Sequence, residues 1–233
     1  MNSYVCIDLE NTGLSPRHDK IIEIGAVKVS EGAIVETFSS FVNPGRVLDE
    51  NITKLTGISD EDLKDALQIS EILPKFLEFV GDYQLLGHHV ISDFAFIKKA
   101  CVNMKISFEK EAVDTLRIAR ACLMELPSKR LSDLCEYYKI EMKAHRALND
   151  ALATVELYNA LRRDFLDKEP SLFVPQKLRY QAKKETPIRK AQIIRLNMLI
   201  ERYGIDCPYE ISRMSCNEAS RYIDQILAKY KGV

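Results

Sequence analysis

The chain has 233 residues, 46% of them hydrophobic, enough for one substantial core with residues to spare. Its 33 Lys and Arg against 34 Asp and Glu leave a net charge of −1, which argues against a histone-like basic binder and against an acidic disordered chain. The charge is unevenly placed: 13 basic and 8 acidic residues from Asp167 onward, 20 and 26 before it, an acidic body with a basic tail.

In chain order, Tyr4 to Leu9 reads as a short buried strand ending in acidic residues. Ile21 to Val29 alternates around Glu23 and is rich in β-branched residues, a second strand, and Ala33 to Val42 a third after the Ser30-Glu31-Gly32 turn. Three strands joined by short turns predict an antiparallel meander, broken at Asn43-Pro44-Gly45. The period then changes: Ser70 to Val80 places apolar residues on a helical face, and Tyr83 to Leu86 is a short strand ending at Gly87. Ser92 to Asn103 is helical, Val113 marks a last short strand, and Leu116 to Leu123 is a helix. Ser132 and Asp133 open a helix through Tyr138, and Asn149 or a neighbour caps a long one to about Phe165. Strands first and strands alternating with helices afterwards predict an α/β domain with a mixed sheet over residues 1–166.

Residues 167–190 carry Pro170, Pro175 and Pro187 among basic residues, the composition of a linker or extended arm. Residues 191–233 resume helical periodicity and suffice for a small helical module with a thin core. No apolar run approaches the roughly 20 residues that cross a bilayer, and the N-terminus lacks the pattern of a secretory signal, so no membrane partner is expected. The six cysteines stand apart without C-x-x-C pairs; reduced and mostly buried, they fit a cytoplasmic location.

The chemistry-bearing candidates are acidic. Asp8 and Glu10 stand at i and i+2 on a strand, so both side chains leave one face. Such a pair at a strand end is usually just solvated. Here Val5-Cys6-Ile7 implies a central strand, where two close carboxylates desolvate poorly without a cation. The following Asn11-Thr12-Gly13-Leu14 reads as a tight turn with N–H groups suited to an anion. Asp93, at a strand–helix junction, and Asp150, in the first turn of the long helix, are by themselves ordinary helix-start acids. His145, five residues before Asp150, would sit on a loop, where an imidazole can take a proton near neutral pH.

Taken together, Asp8-Leu9-Glu10-Asn11-Thr12-Gly13-Leu14, Ile22-Glu23-Ile24-Gly25-Ala26-Val27, Gly87-His88…Asp93 and His145…Asp150 resemble the motifs of the DEDDh 3′–5′ exonucleases, similar to the ε subunit of bacterial DNA polymerase III and the exonuclease segment of PolC-type polymerases. The resemblance runs over about residues 3–162, with the motifs in order. It implies an RNase H-like fold with a mixed five-stranded sheet flanked by helices. It also implies two divalent cations, Mg²⁺ or Mn²⁺, held by Asp8, Glu10, Asp93 and Asp150, clamping the scissile phosphate. His145 would be the general base, and the product of each cycle a nucleoside 5′-monophosphate. The Thr12-Gly13 backbone would meet the terminal nucleotide and Leu14 its base. Where the family commonly has Asn, this chain has His89, which implies altered contacts around the site rather than lost activity.

The tail is a separate matter. Lys177, Arg179, Lys183, Lys184, Arg189 and Lys190 could track a nucleic-acid strand, or be a solvated linker. The expected function is metal-dependent 3′–5′ removal of nucleotides from DNA in proofreading, repair or end trimming, with a polymerase or another replication or repair protein as a partner. An exoribonuclease would use the same carboxylates, and a non-catalytic adaptor would have lost one of them. A P-loop or Rossmann nucleotide binder lacks its glycine-rich loop here.

Overall fold

Alternation along the first strand decides where the acidic residues go. In the computed structural model, which describes residues 1–142 and 145–230, strand β1 covers Tyr4–Asn11. Val5, Ile7 and Leu9 enter one hydrophobic core and Tyr4 and Cys6 the other, on the opposite face of the sheet. Asp8 and Glu10 continue the even-numbered face, two and four residues beyond Cys6. Strands β2 (Ile21–Ser30) and β3 (Ala33–Phe41) complete an antiparallel meander.

Four helices and two strands follow: α1 (Glu50–Thr56), α2 (Asp60–Leu63), α3 (Ile69–Val80), β4 (Leu85–Gly87), α4 (Val90–Asn103) and β5 (Glu111–Asp114). Then come α5 (Thr115–Cys122), α6 (Leu131–Tyr138) and the long α7 (Ala147–Phe165). β4 pairs parallel with β1 and β5 parallel with β4, so the sheet is mixed. Helices α3 and α4 cover one face through Phe76, Phe79, Phe94 and Ile97, and α5, α6 and α7 cover the other through Ile118, Leu134, Val155 and Tyr158. Each such side chain, once removed from water, contributes about 1.5–3 kcal/mol.

Two expectations are corrected. The sheet has six strands rather than five, in the order β3-β2-β1-β4-β5-β6, because Gln176–Lys177 forms a two-residue antiparallel edge strand β6 on β5. The turn between β1 and β2 is not short: Thr12 to Lys20 make a loop of their own. A short 3₁₀ turn, Pro170–Phe173, packs Phe173 near Tyr158 at 6.1 Å, and Leu178 and Tyr180 rest on the core.

Helices α8 (Lys190–Tyr203) and α9 (Cys216–Tyr230) form the small C-terminal unit, with its own core of Leu196, Leu199, Met214, Ala219, Ile223 and Ile226. It docks on the larger body by backbone pairing: the Val47 N–H donates to the Pro208 carbonyl at 2.8 Å and the Glu210 N–H to the Gly45 carbonyl at 2.9 Å. Residues 143–144 of the first region and 231–233 of the last lie outside the described residues. Among the described residues no helix is long and apolar enough to cross a membrane.

Candidate active site

Three elements converge where β1 ends. On β2, Glu23 lies directly opposite Glu10 and Gly25 opposite Asp8, so all four point to the face covered by α7. A Cβ on Gly25 would come within 2.1 Å of the Ala147 carbonyl carbon, so only glycine lets the start of α7 lie this close to the sheet. Asp150 is in that first turn, three residues after the buried Ala147 and one before the buried Ala151. The result is that carboxylate oxygens of Asp8, Glu10 and Asp150 lie within 4.8 Å of one another.

The trio is electrostatically frustrated. Burial pushes the Asp8 carboxyl well above its usual range, with Asp93, Asp150 and Glu10 adding to the effect in that order. Burial, then Asp150 and Glu23, push Glu10 up to about 7. Burial lifts Asp150 to about 6, against a backbone hydrogen bond from His145 that pulls it down. Asp150 is only 8% exposed, and its Oδ1 has no hydrogen-bond partner among the described residues. An orphaned buried oxygen among close carboxylates is the donor set a hard divalent cation takes.

Asp93 sits in the first turn of α4, buried, and lies outside the tight trio. Its own carboxyl is raised well above the usual range by burial and then by Glu10 and Asp114. His145 lies on the loop before α7, exposed, as its sequence position predicts, with a left-handed φ of 68°. Its N–H donates to Asp150 Oδ2 at 3.3 Å, tying the loop to the carboxylate.

The two histidines after β4 part company. His88 is built in: Nε2 donates to the Lys129 carbonyl at 2.8 Å, Nδ1 meets the Thr115 hydroxyl at 2.9 Å, and burial holds its pKa down. His89 is exposed, with φ 65°, a left-handed position that Asn and His both tolerate better than most residues. This accounts for His where the family resemblance leads one to expect Asn.

The β1–β2 loop differs from the anion-binding turn expected. The Thr12 N–H is already given to the Lys20 carbonyl at 2.8 Å, and the Ser15 N–H to Asp19 Oδ2 at 2.9 Å. Thr12 Oγ1 accepts from the Lys20 N–H and from Arg46, which also pairs with Asp19 at 3.4 Å. A Cβ on Gly13 would lie 2.5 Å from the Asp19 carboxylate. Within the loop, Asp19 takes the Ser15 N–H and faces Arg46. Leu14, 95% exposed, stands out at the loop's tip.

Sequence reasoning undervalued Glu23 and Arg146. Glu23 is 1% exposed and takes both Nε and Nη2 of Arg146 at 2.9–3.2 Å, plus the Ala147 N–H at 3.1 Å. The Arg146 guanidinium also lies over the Phe41 ring, 4.9 Å from its centroid. The signal was present: a glutamate inside the apolar run Ile21–Val29 must find a partner or cost several kcal/mol. Of the basic tail, Lys177 lies on β6, Arg179, Lys183 and Lys184 on the arm beyond it, and Arg189 and Lys190 at the start of α8.

The sheet thus closes one end with convergent, raised carboxylates, a donor set that suits a hard divalent cation. The comparison with known families narrows this. The chain belongs to the exonuclease family, whose model matches residues 5–158. It is 42% identical over 156 residues to the PolC-type DNA polymerase III of Caldanaerobacter subterraneus subsp. tengcongensis, covering 66% of this chain and 11% of that protein. It is 39% identical over 158 residues to the DNA polymerase III ε subunit of Aquifex aeolicus, covering 67% of this chain and 78% of that one. The chain thus spans about a tenth of the PolC-type relatives it matches.

Among solved structures it is similar to E. coli exonuclease I in a zinc-bound complex with single-stranded DNA, with a TM-score of 0.65 and 19% identity over 74% of this chain and 42% of that one. Exonuclease X bound to 5′-overhanging duplex DNA superposes with a TM-score of 0.57 and 22% identity, covering 70% of this chain and 92% of that one. At these identities the two structures show a shared fold.

Proposed function

We propose that the chain is a 3′–5′ exonuclease that releases nucleoside 5′-monophosphates from DNA 3′ ends, using two divalent cations, Mg²⁺ or Mn²⁺, held by Asp8, Glu10, Asp93 and Asp150. The observation that carries this reading is the convergence of Asp8, Glu10 and Asp150 within 4.8 Å, with an Asp150 oxygen that has no hydrogen-bond partner among the described residues. When bound, such cations activate water and neutralise charge on the phosphoryl and leaving oxygens. Asp93, buried in the first turn of α4 and close enough for its charge to act on Asp8, completes the set.

The chain's own residues do the rest. His145 takes the proton of the attacking water, and its backbone link to Asp150 keeps it beside the site. Leu14 offers an apolar surface to the terminal base, Gly13 a backbone without a side chain, and Thr12 holds the loop in shape. His89 borders the site at the N-terminus of α4. The basic residues from Lys177 to Lys190 offset the acidic site toward a polyanion. DNA is favoured over RNA because the relatives are DNA polymerase III proteins, and work beside a polymerase fits that kinship.

A denaturing-gel time course tests this on 3′- and 5′-labelled DNA and the matching RNA, with Mg²⁺, Mn²⁺ or EDTA. The expected result is a ladder that shortens from the 3′ end of DNA only with metal. Faster loss of RNA would replace DNA by RNA as the substrate. Binding without cleavage of either would leave an adaptor.

A further inference from the structure

A groove with none of the site carboxylates in its walls lies between the β1–β2 loop, the arm after β6 and the start of α9. Its walls include Arg17, Lys99, Tyr180, Lys183, Lys184 and Asn217, and it encloses about 220 Å³. The single acid in it, Glu185, is already compensated: Lys99 lies 3.4 Å away and Lys20 3.6 Å away. Arg17, Lys183 and Lys184 are exposed and, among the described residues, make no ion pair. The groove therefore presents at least three free positive charges in a concave seat.

The seat is rigid, which a charged linker would not be. The arm is held by β6 on β5, by the Leu178 N–H on the Lys110 carbonyl at 3.0 Å, and by Leu178 and Tyr180 on the core. Further along, Lys99 donates to the Lys183 carbonyl, the Glu185 N–H to Asn103 Oδ1 at 2.9 Å, and the Cys216 N–H to the Thr186 carbonyl at 2.8 Å. Lys20 ties the loop to the C-terminal unit through the buried Glu218 at 3.2 Å. Folding has thus already ordered these side chains' backbones, so a ligand does not meet that cost again.

Position supplies the ligand. Arg17 belongs to the Thr12–Lys20 loop that directly follows the strand carrying Asp8 and Glu10, so the groove shares an element with the carboxylate-bearing end of the sheet and extends over the arm. A site that holds a 3′ end must let the preceding nucleotides leave along one side. A narrow basic channel edged by a tyrosine suits one phosphodiester strand and is too small for a duplex. We infer that this groove, built by the loop, the arm and α9 together, seats the backbone of single-stranded DNA upstream of the 3′ end. The inference rests on the exonuclease reading for its polarity.

Fluorescence anisotropy of a labelled dT20 with the full chain in EDTA, read against NaCl concentration, tests it without turnover. Arg17→Gln/Lys183→Gln/Lys184→Gln should weaken binding about tenfold at 0.1 M salt and lower the log–log salt slope by about 2, at roughly 0.7 per lost phosphate contact. Lys54→Gln/Lys75→Gln/Lys168→Gln removes the same charge outside the groove and should leave the slope in place. Arg17→Gln alone, expected to lower the slope by about 0.7, serves if the triple variant misfolds. An unchanged slope, or an equal fall in the control, overturns the groove. Absence of cleavage by the wild-type chain would refute the exonuclease reading instead, since binding here needs no hydrolysis.

Discussion

Glu10 should make the metal-free protein less stable as pH rises. Its carboxyl is pushed up to about 7 in the native state against an ordinary 4.5. Between those values the folded chain holds a proton that the unfolded chain has lost, so stability falls as pH rises through pH 4.5–7. The difference corresponds to about 3 kcal/mol at pH 8. His88 works the other way, since burial lowers its pKa and folding then favours the neutral ring as pH rises. The comparison with Glu10→Gln separates the two. Urea unfolding in EDTA at pH 5 and pH 8 reads the effect. With a slope of about 2–3 kcal/mol per molar urea, the wild-type midpoint should fall by about 1 M relative to the variant's over that range. Mg²⁺ at pH 8 should restore the loss in the wild type, because cations bind the native carboxylates and not the dispersed ones. Parallel pH dependences in wild type and Glu10→Gln would refute the reasoning.

Three further outcomes follow from the geometry. His145→Ala should cut turnover by about 10²–10⁴-fold with an unchanged melting temperature, since the side chain is exposed; a wild-type rate removes it as the base. Glu23→Gln should lower stability by about 1–3 kcal/mol and kcat with it, because the Arg146 pairing weakens where α7 meets the sheet; urea midpoints and steady-state rates measure both. Gly25→Ala should cost about 3 kcal/mol or prevent folding, as the added Cβ meets backbone of α7, and circular dichroism would show it.

Much of the fold is legible in the sequence where one period rules. The apolar run Tyr4–Leu9 and the β-branched alternation around Glu23 in Ile21–Val29 mark the first two strands, the helical period marks α3, and a start signal near Asn149 marks α7. The short elements escape: α1 and α2 rest on caps, Asp49 for one and a Ser59–Asp62 capping box for the other, rather than on a long apolar stripe. β6 is two residues whose pairing depends on Glu111 and Ala112 of β5, far earlier in the chain, and nothing in Gln176–Lys177 itself signals it. For the site, the i, i+2 spacing places Asp8 and Glu10 on one face, whereas the approach of Asp150 is a tertiary fact enabled by Gly25. The Asp19–Arg46 pairing inside the β1–β2 loop is likewise tertiary.

In this reading the convergent carboxylates bind the cations that drive hydrolysis. Mn²⁺ titration followed by loss of the free-ion paramagnetic resonance signal, run beside DNA cleavage at the same concentrations, tests it most directly. The wild-type chain should take up Mn²⁺ and cleave in step with its occupancy. Asp8→Ala should lose both while still binding DNA. Hydrolysis persisting in Asp8→Ala, or in EDTA, would contradict the account.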